Sequence, residues 1–235
     1  MSKYGQYCPM AKALEVVGDR WTLLIIRDMF AGMSHFNDLE RGLPGISRPL
    51  LARRLRQLEQ AGVIEKRLHP SGRKTTEYHL TQAGKELMAV VISLVDWGAK
   101  WAFGDPTPED LDPVLLMWWM RNRVNADQLP EHRIVTQFDF YGAETMSFWL
   151  VMTKEDVTIC LTDPGYEINV LVTADLAAFF KLWAGRITYQ EALEEYNVRV
   201  DGAPGLVRAF PNWFAWSHSV EEVRRARALN VTRSA

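Results

Sequence analysis

Four arginines crowd one short stretch, ISRPLLARRLRQLEQAG, residues 46–62: Arg48, Arg53, Arg54 and Arg56. A guanidinium is a planar fork of donors that fits phosphate oxygens or the outer edge of a guanine. Whether these four can act together depends on the element that carries them. The spacing predicts a helix. Ser47 is an N-cap candidate, and Pro49 falls in the first turn, where its missing N–H costs little. Leu51, Leu55 and Leu58 recur at i, i+4, i+7 and so share a core-facing side. At about 100° per residue, Pro49, Ala52, Arg53, Arg56 and Gln60 fall on the other side. Arg54 lies beside the leucines and is expected to support packing or an ion pair. Ser47 and Arg48 stand at the helix start, where the backbone N–H groups and the dipole favour an anion. Gly62 is the expected C′ residue that ends the helix. Two more cations, Arg73 and Lys74, occupy a polar turn further on. A polyanion is the partner that this set would suit.

Other reactive groups are sparse. Cys8 precedes an expected helix start, with Lys12 one turn on, which is the setting that lowers a thiol pKa. It is therefore a redox candidate, and with Cys160 distant in sequence any disulfide through it would have to cross subunits. His132 and His218 are far apart, no metal-ligand spacing occurs and no glycine-rich phosphate loop follows a strand. No catalytic set, metal or cofactor is expected.

The surrounding elements give the arginines a frame. A short helix is expected over 35–41, capped by Ser34, then a tight LPGIS turn with Pro44 and Gly45. Helix, short turn and a helix with an outward basic face make a helix-turn-helix. VIEKRLHP and KTTEYHL then read as two strands around Ser71-Gly72-Arg73-Lys74, a wing with cations at its tip. Upstream, helices are expected over 9–17 and, with Asp19 as cap, over 19–30. Thr81 is expected to cap one long helix, 81–103. Its apolar stripe of Leu87, Val91, Leu94, Val95 and Trp101 exceeds what so small a domain can cover, so a second subunit is its expected partner.

Cys8-Pro9, Gly18-Asp19-Arg20-Trp21, Phe36 with Leu39, Leu43-Pro44-Gly45-Ile46-Ser47, Leu55 with Leu58-Glu59, Gly62, and Tyr78-His79-Leu80-Thr81 before Gly84 form a dense pattern over about residues 7–101. That segment resembles the HxlR family of winged-helix transcription regulators. The resemblance implies a homodimer that binds double-stranded DNA, with the second helix of the motif in the major groove and an inverted-repeat operator. Ser47, Arg48, Pro49, Ala52, Arg53, Arg56, Arg73 and Lys74 would be the DNA-binding residues. Some relatives use a cysteine at the place of Cys8 as an oxidant sensor. The wing departs from the family: HPSGRKTTEY is poorer in proline and more basic than the usual sequence, so its contacts are not carried over.

Net charge is −2 overall, but residues 1–104 carry +5 and residues 105–235 carry −7. That asymmetry predicts two domains with different partners. GDPTPEDLDP, with three prolines, is the expected linker. The predicted class is α+β: a winged helix-turn-helix domain over 1–103, a linker over 104–113, a sheet-and-helix domain over 114–218 and a helical tail over 219–235. No apolar run reaches the ~18 residues that span a membrane, and the N-terminus lacks the apolar core of a signal peptide, so a cytoplasmic protein is expected.

In the second half, a helix is expected over 112–129, then four alternating strand-like runs in antiparallel hairpins over 132–141, 145–153, 156–163 and 166–173. Thr173 would cap the next helix; a short helix over 189–196, a strand VRVDG and a helical turn PGLVRAF follow, and 220–235 would be a short helix with a loose tail. The order strand, capped helix, turn, helix, strand ending in Asp-Gly, helix is similar to the sterol-carrier-protein type-2 fold over about 112–216. That resemblance implies a cavity for an apolar effector, lined by residues such as Trp118, Trp119, Phe138, Phe148, Phe179 and Trp183. The leading expectation is a dimeric regulator, a repressor, whose second domain senses an apolar small molecule. The alternatives are a lipid- or acyl-chain-binding protein with a vestigial DNA-binding domain, and a regulator switched through Cys8.

Overall fold

The computed structural model describes residues 3–68, 76–142, 145–217 and 219–234. The chain divides into two units, Met1–Leu94 and Val95–Ala235.

The first unit is a winged helix. Helices α1 (Pro9–Val17), α2 (Thr22–Phe30), α3 (Phe36–Gly42) and α4 (Arg48–Gln60) precede an antiparallel pair, β1 (Ile64–Leu68) and β2 (Thr76–Leu80), with Ile64 opposite Leu80. Ile25, Ile26, Leu39, Leu51, Leu55 and Leu58 are buried together, as the leucine spacing of α4 requires. Gly45 (φ +85°) turns the chain between α3 and α4, and Gly62 (φ +71°) ends α4 in the left-handed region. Two expected caps do different work. Asp19 does not cap α2, whose N-cap position is Trp21; its carboxylate instead pairs with Arg54. Ser34 does not cap α3; its carbonyl accepts from Tyr78 N–H at 2.8 Å, while His35 bridges Glu77 as a short third strand. The extended backbone that this bridge needs leaves His35 at the N-cap.

Thr81 does cap a helix, its hydroxyl accepting from Gly84 N–H at 3.2 Å. The single helix expected over 81–103 is two, however: α5 (Gln82–Glu86) and α6 (Met88–Trp101), broken at Leu87, whose N–H reaches back only to Gly84 O. Along α6 only Val91 is buried, Val95 is half-buried, and Leu94 and Trp101 are exposed.

The second unit starts with α6's last turns. The stretch expected as a linker, 104–113, carries contacts of its own. Asp105 pairs with Lys181 and Arg186, Thr107 and Asp110 form a capping box, and Leu111 packs on the core. Asp112 caps α7 (Pro113–Arg121) by accepting from Val114 and Leu115 N–H. This helix stops well short of residue 129, because the chain turns to join a distant segment. Asn125 N–H donates to Trp213 O at 2.7 Å, Ala215 N–H to Arg123 O at 2.8 Å, and Val124 bridges Phe214.

Strands β3 (Ile134–Tyr141), β4 (Met146–Met152), β5 (Val157–Cys160), β6 (Val170–Asp175) and β7 (Arg199–Gly202) form one sheet in the order β5-β4-β3-β6-β7. The first three form the expected antiparallel meander. The fourth does not: β6 crosses to the far side of β3 and runs parallel to it, with Phe138 beside Val172. Phe138, Phe140, Phe148, Leu150, Val170 and Val172 face the core, whereas Gln137, Asp139, Ser147 and Trp149 form a half-exposed hydrogen-bonded ladder on the other face. Thr173 lies within β6. Asp175 instead caps α8 (Leu176–Trp183), since the parallel ladder extends two residues further. Then come α9 (Tyr189–Glu194), under a Thr188–Glu191 capping box, α10 (Pro204–Ala209) and α11 (Val220–Ser234). The last is one helix rather than a short helix with a tail.

Candidate nucleic-acid interface

Helix α4 buries Leu51, Leu55 and Leu58 and turns Ser47, Arg48, Pro49, Arg53, Arg56 and Gln60 to solvent, with Ala52 half-buried among them. Ser47 holds the N-cap position in extended geometry (φ −80°, ψ 146°), but its side chain makes no capping bond. The first N–H groups of this 13-residue helix are thus left uncapped by Ser47, and the dipole adds a partial positive charge there.

The four arginines divide into two pairs. Arg54 turns aside to the Asp19 carboxylate and to Gln57 Oε1, at 2.8 Å, as its place beside the leucines predicts. Arg48 lies back over α3: it pairs with Glu40, reaches Asn37 Oδ1 at 3.3 Å, and stacks at 4.9 Å over the Phe36 ring. No local spacing links Glu40 to Arg48, so the sequence carries no sign of this clamp. Arg53 and Arg56 are exposed, and neither has an ion-pair or hydrogen-bond partner among the described residues. The sheet beside them is largely self-neutralised: Lys66 pairs with Glu59 at 2.8 Å and Arg67 with Glu65. The wing-tip candidates Arg73 and Lys74 lie outside the described residues, as does His218.

Cys8 is a free, half-buried thiol at the N-cap of α1. The cation expected to activate it, Lys12, is held by Glu15 at 3.0 Å. Asp28 was not singled out by sequence reasoning, since one acid in an apolar helix carries no pattern. It lies buried beneath α3 and only one of its oxygens is bonded, to Arg27 at 2.8 Å. Burial pushes its carboxyl up to about 6.

The residues expected to line an effector cavity each lie against another ring or a cation. Phe138 and Phe179 are 5.9 Å apart between ring centroids, Phe140 and Phe148 6.1 Å, Trp119 and Phe180 6.5 Å, and Trp183 lies 5.9 Å from Trp216. Trp118 is buried under the Arg121 guanidinium. Among the described residues no group of three His, Cys, Asp or Glu is placed to hold a metal, and no helix is long and apolar enough to cross a membrane.

Residues 16–105 match the HxlR-like helix-turn-helix family. An HTH-type transcriptional regulator of Synechocystis is 34% identical over 97 residues, which cover 41% of this chain and 72% of that protein. The chain belongs to the HxlR-like helix-turn-helix family. An HTH-type transcriptional regulator of Mycobacterium tuberculosis is 43% identical over 100 residues; the match covers 43% of this chain, which spans only 61% of that protein's length. The reduced form of the transcriptional regulator YodB from B. subtilis is 32% identical with a TM-score of 0.37, covering 41% of this chain and 96% of that one. The residues past 105 lie outside the family match.

Proposed function

We propose that this HxlR-like chain is a homodimeric transcription regulator that binds double-stranded DNA through α4. The observation that carries the reading is the division of the arginines. Arg48 and Arg54 are each paired with a carboxylate of the fold, while Arg53 and Arg56 stand exposed and unpaired among the described residues, on the same helix whose start is suited to phosphate. In a helix-turn-helix this is the element that enters the major groove, where such side chains meet guanine edges or phosphates. Ser47, Pro49 and Ala52 would let the backbone of α4 approach closely. Arg48 would reach phosphate by exchanging Glu40 for it. Arg73 and Lys74 would add contacts from the wing.

Support for the dimer comes from α6, where Val90, Ile92, Leu94 and Trp97 are 43–60% exposed. Bare aromatic and branched side chains in that number on one helix are costly unless covered. Two α4 helices related by a two-fold axis would read an inverted repeat with half-sites about one helical turn apart. A dimer seated over a promoter excludes polymerase, so repression is the expected sign and the cytoplasm the expected place. The second unit would be the effector-binding part.

The test is fluorescence anisotropy with the DNA upstream of the protein's own gene, across a salt series. Arg53→Ala/Arg56→Ala removes four cations from the dimer, so it should weaken binding at least about tenfold and flatten the salt slope by up to about 4. Equal affinity and slope in both proteins would defeat the reading.

A further inference from the structure

The second unit carries a cleft of about 950 Å³ at the margin of its packed interior. Its walls are the end of α6 with the following turn, the end of α8, and α11. Ile187 and Val223, both buried, line it together with the rings of Trp101, Phe103 and Tyr196. Around them stand four cations, Lys100, Lys181, Arg186 and Arg227, against a single lining acid, Asp105. This excess is local, since residues 105–235 as a whole carry a charge of −7.

The one acid is placed tellingly. The Asp105 carboxylate sits between Lys181 Nζ, at 3.1 Å, and Arg186 Nη2, at 3.4 Å. Hydrogen bonding from Lys181 holds its carboxyl below the usual aspartate range. Yet Asp105 is 68% exposed at the side chain, whereas its partners are 23% and 31% exposed. The cations are thus fixed in the wall and the anion is lightly held in water. Arg186 is further pinned by donating to Phe103 O, and both cations lie over rings, Lys181 at 5.9 Å from Tyr196 and Arg186 at 5.7 Å from Phe103. An exposed ion pair contributes little in water, so an incoming carboxylate with an apolar body can replace Asp105 and add burial that Asp105 lacks.

We propose that this cleft binds an organic anion, a carboxylate on an aromatic or acyl body, and that Asp105 holds the carboxylate position when the cleft is empty. The proposal rests on the reading of the second unit as the effector-binding part, and it names that effector's chemical class. Arg227 stays with Glu191, at 2.6 and 2.8 Å, and closes the far side rather than binding the anion.

The probe is 8-anilinonaphthalene-1-sulfonate, followed by fluorescence on the full chain. Its neutral twin, N-phenyl-1-naphthylamine, reports the apolar contribution alone. Asp105→Asn removes the internal competitor and should tighten the sulfonate about fivefold; Lys181→Met should weaken it about fivefold. The neutral dye should bind all three proteins within about twofold. Unchanged sulfonate affinity in both variants overturns the proposal, and so does neutral-dye binding that moves in parallel. If Lys181→Met fails to fold by circular dichroism, Asp105→Asn alone decides. Operator binding by the same samples separates the two readings: a cleft that fails here leaves the Arg53/Arg56 result untouched, and a failed Arg53/Arg56 result leaves the dye titration standing.

Discussion

Replacing Asp28 with asparagine should stabilise the winged helix at neutral pH and do nothing at acid pH. Asp28 is 2% exposed. Its Oδ1 accepts from Arg27, while Oδ2 has no partner and abuts the backbone of α3, 2.6 Å from where a Cβ on Gly42 would stand. Desolvation outweighs the Arg27 charge and raises the carboxyl from 3.8 to about 6. A folded pKa above the unfolded one means the contribution to stability is fully present below pH 3.8 and lost as pH rises through about 6. The gap of roughly 2 units corresponds to about 3 kcal/mol at most. Asparagine keeps the shape and never ionises. We expect Asp28→Asn to be more stable by about 1–3 kcal/mol at pH 7.5 and nearly equal to the parent at pH 4. Because the chain has two units that need not unfold together, the readout should be hydrogen exchange of α2 and α3 amides, combined with urea titration at both pH values. A stability difference that is the same at pH 4 and pH 7.5 would refute the reasoning.

Trp97→Glu places a charge in the exposed apolar face of α6; light scattering should find the parent at twice its chain mass of 26.9 kDa and the variant at that mass, and a parent that is already monomeric sinks the dimer. Gly84→Ala would set a Cβ 2.2 Å from Val63 O, backbone that cannot yield, so the first unit should lose roughly 1–3 kcal/mol or more in urea melts. Thr81→Ala should cost about 1 kcal/mol by the same melts, for the lost cap on Gly84 N–H. Glu191 is hydrogen-bonded by Arg227 and by Thr188 N–H, which hold its carboxyl down to about 2. What that contributes to stability is present above pH 4.5 and fades as pH falls through about 2; carboxyl NMR should show the value return toward 4.5 in Arg227→Gln.

What could be read from the sequence follows how local each determinant is. The leucines of α4, its end at Gly62, the Thr81 cap and the side assignment of Arg54 all depend on spacings within one or two turns, and the structure has them as read. Asp19 and Ser34 were misread because a good capping residue is also a good partner for something distant: Arg54 lies 35 residues on, and the backbone of Tyr78 further still. In the second half the same limit applies to whole strands. Alternation identifies β3 to β6 as strands but says nothing of which edge β6 joins, and the parallel crossover also moves the helix start from Thr173 to Asp175. Aromatic content marks an apolar interior, and in the structure Phe138, Phe148 and Phe179 each lie near another ring of it. The charged cleft was invisible because Asp105, Lys181 and Arg227 are not near one another in the chain.

The hydrogen bonds that tie 123–125 to 213–216 set a timetable for synthesis. Everything the first unit needs has been made once residue 94 has cleared the ribosome exit. The second unit cannot seal until residue 216 has followed, about 120 residues later, which is roughly 6–24 s at ordinary bacterial elongation rates. For that interval the nascent chain carries a finished winged helix beside an open aromatic sheet, and α6 has its apolar side chains bare on a molecule still attached to its message. Nascent chains made from one message are then close neighbours, so α6 could meet its counterpart before either second unit is complete.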